Sequence, residues 1–211
     1  MKGCRPLTQD EVQQVLACGN FGRNPSRNRC FFVVGVASGF RCSELLSLRI
    51  RDVVRGGVVQ DRVQVMRKYM KGKREPREVY LNATVQEALF DRITTMRQQG
   101  WWDHDTFLFR ADGQGNVPVS RHAAWAMLQR VFRPLGIVGR VGVHSLRKTY
   151  ANALLDYWTG VRAEGEHCEP MMEVQQALGH KSIVSTQSYL QFRDENKRRS
   201  ARHMGGYLRG A

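Results

Sequence analysis

The chain has 211 residues, 42% of them apolar and 25% charged, with a formal net charge of +14. That is enough for one domain with a real core or two small ones, and the charge favours a polyanionic partner, nucleic acid or an acidic membrane surface. The longest apolar run, residues 30–40, is far short of the ~20 residues that cross a bilayer, and the N-terminus has no apolar signal region. The five cysteines form no CxxC pair and leave one over, so reduced structural thiols in a cytoplasmic protein are expected, with no metal site.

In chain order, Thr8 and Glu11 in TQDE make a capping box, with Leu7 as a staple, and Val12, Val15 and Leu16 carry helical spacing to Gly19. A polar basic loop, GRNPSRNR, leads to a buried helix over residues 30–38, ended by Gly39. A second helix starts at once in CSELLSL. Residues 53–81 alternate and are rich in β-branched side chains, which predicts a small antiparallel sheet of two or three strands around a basic turn. Residues 84–98 read as a helix, DTFLF as an extended piece and ADGQGN as a turn. Residues 120–132 read as an amphipathic helix with Trp125, Leu128, Val131 and Phe132 on one side. A helical pattern runs from His144 through Trp158, TGVRAEGEHCEP breaks it, and Pro170 opens a further helix that Gly179 closes. The tail is basic and partly helical in pattern. The sum is an α+β, mostly helical domain with no internal repeat.

Four stretches carry candidate chemistry: GFRCSELLSL with Arg41, the basic turn MKGKREP, HSLRKT, and LGHKSIVSTQSYL. Each alone has an ordinary explanation as a surface cation, a hairpin charge, a helix cap or half-buried packing. Together they meet the needs of phosphodiester cleavage by a protein nucleophile. Tyr189 offers a phenol, neutral at pH 7 and in need of a base. Arg41 and Arg147 offer planar, permanently charged guanidiniums for the gathering charge on phosphorus. His144 and His180 can donate to the phosphate or take the phenol proton. A lysine on the basic turn can protonate the departing 5′ oxygen. His144 and Arg147, three apart, share a helix face at a helix start, where unpaired N–H groups and the dipole attract phosphate.

These stretches, in this order and with nine residues from His180 to Tyr189, resemble the boxes of the tyrosine recombinase (phage integrase) family, and LTQDEV resembles the start of its catalytic domain. The resemblance covers residues 6–192. It implies the tyrosine-recombinase catalytic fold over residues 1–192 and a basic tail over 193–211, which in the family packs on a neighbouring protomer. It implies DNA cleavage and rejoining through a 3′-phosphotyrosyl intermediate, without metal or nucleotide cofactor. It further implies double-stranded DNA as partner, four protomers across two sites, room for accessory proteins, no membrane, and a bacterial or phage-encoded cytoplasmic enzyme of a mobile element. The catalytic roles fall on Arg41, Lys71, His144, Arg147, His180 and Tyr189, with Glu44 orienting Arg41. Lys68, Lys73, Arg74, Lys148 and Lys181 are further DNA-binding candidates.

Four departures stand out. The hairpin is one residue longer than usual, which leaves Lys73 and Lys68 as alternatives to Lys71, and Lys148 replaces a frequent histidine. The stretch from Arg147 to His180 is about ten residues longer than is usual in the family, the excess lying near WTGVRAEGEHCE and read as a surface loop. The helical core-binding domain that usually precedes this one is either naturally absent, as in small fimbrial-switch invertases, or removed. Two other functions fit the same residues: a type IB topoisomerase-like relaxation of DNA, and a non-catalytic basic DNA-binding regulator.

Overall fold

The computed structural model describes residues 4–65, 77–113 and 115–187. The helix α1 (Gln9–Ala17) opens on the expected capping box, Thr8 Oγ1 accepting from the Glu11 N–H and Glu11 reaching back to the Thr8 N–H. The second helix, α2 (Pro25–Ser38), begins five residues earlier than the apolar run suggested. Pro25 takes the first helical turn, where its missing N–H costs nothing, so a stretch that reads as loop is helix. Gly39 ends α2 in the left-handed region at φ 63°.

Short helices α3 (Cys42–Leu46) and α4 (Ile50–Val53) follow, then four short strands: β1 (Val54–Arg55), β2 (Val58–Val59), β3 (Arg62–Val65) and β4 (Arg77–Tyr80). The expected small antiparallel element is present as two separate two-stranded pairs, β1 with β2 and β3 with β4. Helices α5 (Ala83–Gln98), α6 (Arg121–Phe132), α7 (Val143–Ala163), α8 (Pro170–Leu178) and α9 (Ile183–Gln187) complete the described chain.

The core forms around α2. Cys30, Phe31, Phe32, Val33 and Val34 are all buried, so this helix is apolar around most of its circumference, as a central helix must be. Phe31 meets Phe109 edge to face at 5.2 Å, and Phe32 meets Phe132 at 6.2 Å. Helix α7 packs so closely on α2 that a Cβ at Gly35 would lie 2.5 Å from Leu146 Cδ1. Burial pushes the Cys30 thiol up to about 12 and lowers the neighbouring Arg92 to about 10, which marks Cys30 as packing rather than a nucleophile. A smaller cluster, Ala151, Val174 and Leu178 with Tyr150, Leu154 and Leu155, joins α7 to α8.

Two expectations change. Helix α7 runs on through Ala163, so the first residues of TGVRAEGEHCEP are helical. Thr159 bonds back to the Leu155 carbonyl, and a single glycine at 160 is tolerated where neither φ nor packing demands a turn. The excess length is thus partly five further helical residues, roughly one and a half turns, returning to α8 through residues 164–169 with an ion pair of Arg162 and Glu169 at 2.9 Å. Leu128, Val131 and Phe132 of α6 are buried, but Trp125 is exposed beside Gly142 at the start of α7. Among the described residues, no helix is long and apolar enough to cross a membrane.

Candidate active site

Three chain segments far apart in sequence meet at one guanidinium. Arg147, in the second turn of α7, is only 1% exposed. Its Nη1 donates to the Gly39 carbonyl, and its Nη2 donates to the Leu178 carbonyl at 2.8 Å and lies 3.0 Å from His180 Nε2. Gly39 caps α2 and Leu178 ends α8, so the cation sits at two helix C-termini, where partial negative charge gathers.

Arginine has only donors, so Nε2 of His180 is the acceptor in this contact. The ring proton is then on Nδ1, which lies 3.1 Å from Oγ1 of the buried Thr186. His180 is itself placed by Gln175, whose carbonyl accepts from the His180 N–H and whose side chain donates to the His180 carbonyl. Gly179 in the left-handed conformation turns the chain so that this is possible.

Arg41 follows Gly39 by two residues. It is the N-cap of α3, with its side chain a quarter exposed, and Glu44 is buried beneath it. Glu44 Oε2 accepts from the Arg41 backbone N–H at 2.8 Å, and Oε1 accepts from Arg41 Nη1 at 2.6 Å. One carboxylate therefore fixes both the backbone and the guanidinium of Arg41.

His144 is exposed, at the second position of α7, and Gly142 rather than His144 is the N-cap. Ser145 Oγ accepts from the Gly142 N–H at 3.0 Å and closes that end. Crowding of the ring by protein atoms, with Lys148 and Arg147 nearby, holds His144 below the ordinary histidine pKa, so at pH 7 it is neutral and can accept a proton. Below about pH 6.5 the unfolded chain then binds this proton first, and stability should fall as pH drops until the folded value is passed. Urea unfolding between pH 5 and 7.5 should show that fall flattened in His144→Asn; equal slopes in both proteins would refute it.

Of the other candidates, Lys148 is half-buried and Lys181 is exposed just after His180. Lys68, Lys71, Lys73, Arg74 and Tyr189 lie outside the described residues, as does the tail from Arg193. Sequence reasoning missed the Gly39 and Leu178 carbonyls and Thr186. Backbone acceptors leave no signature in composition, and among the nearby hydroxyls Thr186 is set apart from Ser182 and Ser185 by its burial, which the sequence does not show.

Residues 5–196 match the phage integrase family. The chain belongs to that family. Tyrosine recombinase XerD of Staphylococcus saprophyticus subsp. saprophyticus is 32% identical over 184 residues, which is 87% of this chain and 56% of that protein. This phage integrase family chain thus spans little more than half the length of that relative. The crystal structure of XerA recombinase superposes with a TM-score of 0.70 at 22% identity, covering 97% of this chain and 66% of the other. XerH site-specific recombinase bound to its difH substrate gives 0.67 at 23%, covering 95% and 55%. Both show the family's fold in this chain.

Proposed function

We propose that this chain carries the catalytic machinery of a site-specific DNA recombinase that cleaves and rejoins double-stranded DNA through a 3′-phosphotyrosyl link at Tyr189. The observation that supports it most is the convergence of Gly39, Leu178 and His180 on the buried Arg147 cation, with the Arg41 and Glu44 pair starting two residues along the chain from Gly39.

In this reading the Tyr189 oxygen attacks phosphorus, the bond from phosphorus to the 5′ oxygen breaks, and the phenol proton passes to neutral His144. A hairpin lysine, Lys71 before Lys73 and Lys68, protonates the departing 5′ oxygen. Arg41 meets the phosphate from the surface, and Arg147 adds a fixed charge from the interior, where low dielectric lengthens its reach. His180 orients Arg147 through Nε2. The covalent link conserves the energy of the broken bond, so a 5′-hydroxyl of a partner strand can reverse the step without a nucleotide. Strand exchange between two sites calls for four protomers, as the family resemblance implies. DNA affinity falls steeply with salt, since the lysines and arginines that meet phosphate displace condensed counterions.

The test uses nicked suicide duplexes tiled across the DNA that flanks this gene. A covalent protein–DNA product whose phosphotyrosine maps to Tyr189 by peptide mass spectrometry is expected. No covalent product on any duplex, with binding retained, would favour a DNA-binding regulator. Relaxation of plasmid lacking any paired site would favour a topoisomerase-like enzyme.

A further inference from the structure

We propose that Arg5, held by Glu11, is a positioning residue for the cleavage step, gripping the chain around the helical turn that carries His144 and Arg147. This rests on the recombinase reading above.

Residues 5–8 form a strap across the start of α7. Ahead of that helix, the Arg5 backbone N–H donates to the Arg140 carbonyl at 2.8 Å. The Arg5 guanidinium donates to the Val138 carbonyl twice, from Nε at 3.0 Å and Nη2 at 2.6 Å. Beyond the turn, the Leu7 N–H donates to Thr149 Oγ1 at 2.9 Å, and that hydroxyl donates to the Ser145 carbonyl. His144 and Arg147 lie between these two points of attachment.

The guanidinium is fixed in turn. Glu11 accepts from Arg5 Nη1 at 2.7 Å and Nη2 at 2.6 Å, while also capping α1 through the Thr8 N–H. The pair holds Glu11 below and Arg5 above their ordinary pKa values, so both stay charged near neutral pH. Without Arg5, the lead-in to α7 keeps Ile137 and Val141 in the core and the Gln129 bond to the Val141 carbonyl. Val138, Gly139 and Arg140 between them are exposed; the Val138 carbonyl would lose both guanidinium bonds, leaving the Arg5 backbone bond to the Arg140 carbonyl. Gly139 is shaped for this grip: its φ is +91°, and a Cβ there would stand 3.2 Å from Arg5 Nε.

A second reason separates positioning from mere stability. The strap buries little apolar surface beyond Leu7. Its bonds act on the register of the first two turns of α7, and a shift of about 1 Å in a catalytic group can slow chemistry a hundredfold.

The test is single-turnover cleavage of the nicked duplexes, with the rate constant, the fraction finally cleaved and the DNA Kd measured separately. Arg5→Ala, Glu11→Gln and Gly139→Ala should each lower the rate constant about tenfold or more, with Kd within about twofold and the final fraction unchanged. Arg5→Lys, which keeps charge but not the fork, should fall between. A reduced final fraction at an unchanged rate constant would make the strap a stability element only and overturn the assignment. A weakened Kd at an unchanged rate constant would make Arg5 a phosphate contact and overturn it equally. Normal rates in the variants with an active wild type refute the positioning role alone. A wild type that leaves no covalent product removes the recombinase reading and this role with it.

Discussion

Arg147→Lys should cut single-turnover strand cleavage by about 10²- to 10³-fold, the loss typical when one preorganised charge donor is removed from a transition state. Lysine keeps the charge but not the planar fork that reaches Gly39, Leu178 and His180 from one group. An ammonium at that depth can satisfy one carbonyl and leave the other, at about 1–3 kcal/mol for the acceptor left alone. Arg147→Ala should be worse in stability, about 3–5 kcal/mol, because two carbonyls lose their donor and a large void opens where the side chain is 1% exposed. Thermal melts and cleavage rates of the two variants separate the effects. The proposed role requires Arg147→Lys to lose far more in rate than in melting temperature; proportionate losses would make Arg147 a structural strut only.

Gly39→Ala should be the most disruptive single methyl near the site. The residue has φ 63°, where an alanine pays about 1–2 kcal/mol in backbone strain. Its new Cβ would lie 2.5 Å from Tyr150 Cδ1, 2.6 Å from Cε1 and 3.2 Å from Leu178 Cδ2, an overpacking of about 1–3 kcal/mol. Together these predict about 2–5 kcal/mol, or a melting temperature lower by about 5–15 °C. Relief would require moving the ring or the corner whose carbonyl holds Arg147, so cleavage should fall as well. Adding Tyr150→Leu should recover part of the stability but not the backbone share. A Gly39→Ala protein that melts like wild type would show that the approach of α2, α7 and α8 is looser than these distances state.

Local structure was legible in the sequence where one residue type has one physical use. The capping box of Thr8 and Glu11, Pro170 at a helix start and Gly39 and Gly179 past helix ends are all of this kind. Of the candidate site residues named through resemblance to a family, Arg147 and His180 stand in contact, while Lys71 and Tyr189 lie outside the described residues. What the sequence hid was long-range. That Arg147 would end on carbonyls 108 and 31 residues away depends on how α2, α7 and α8 pack, not on any neighbour in the chain. The true start of α2 was hidden because GRNPSRNR is polar, yet Arg27 and Asn28 are buried, with bonds to the Arg110 and Phe21 carbonyls and to Asp112. Trp125 was misplaced because helical spacing alone does not say how wide the buried stripe is.

The Gly39 and Leu178 carbonyls that grip Arg147 have one further consequence. A carboxylate in their place would take up a proton in acid and let go. Carbonyl oxygens carry no proton to gain or lose, so that part of the grip is the same at pH 5 as at pH 9. Any pH profile of cleavage would then report the tyrosine, the histidines and the hairpin lysine. The buried guanidinium would serve as the constant against which they titrate.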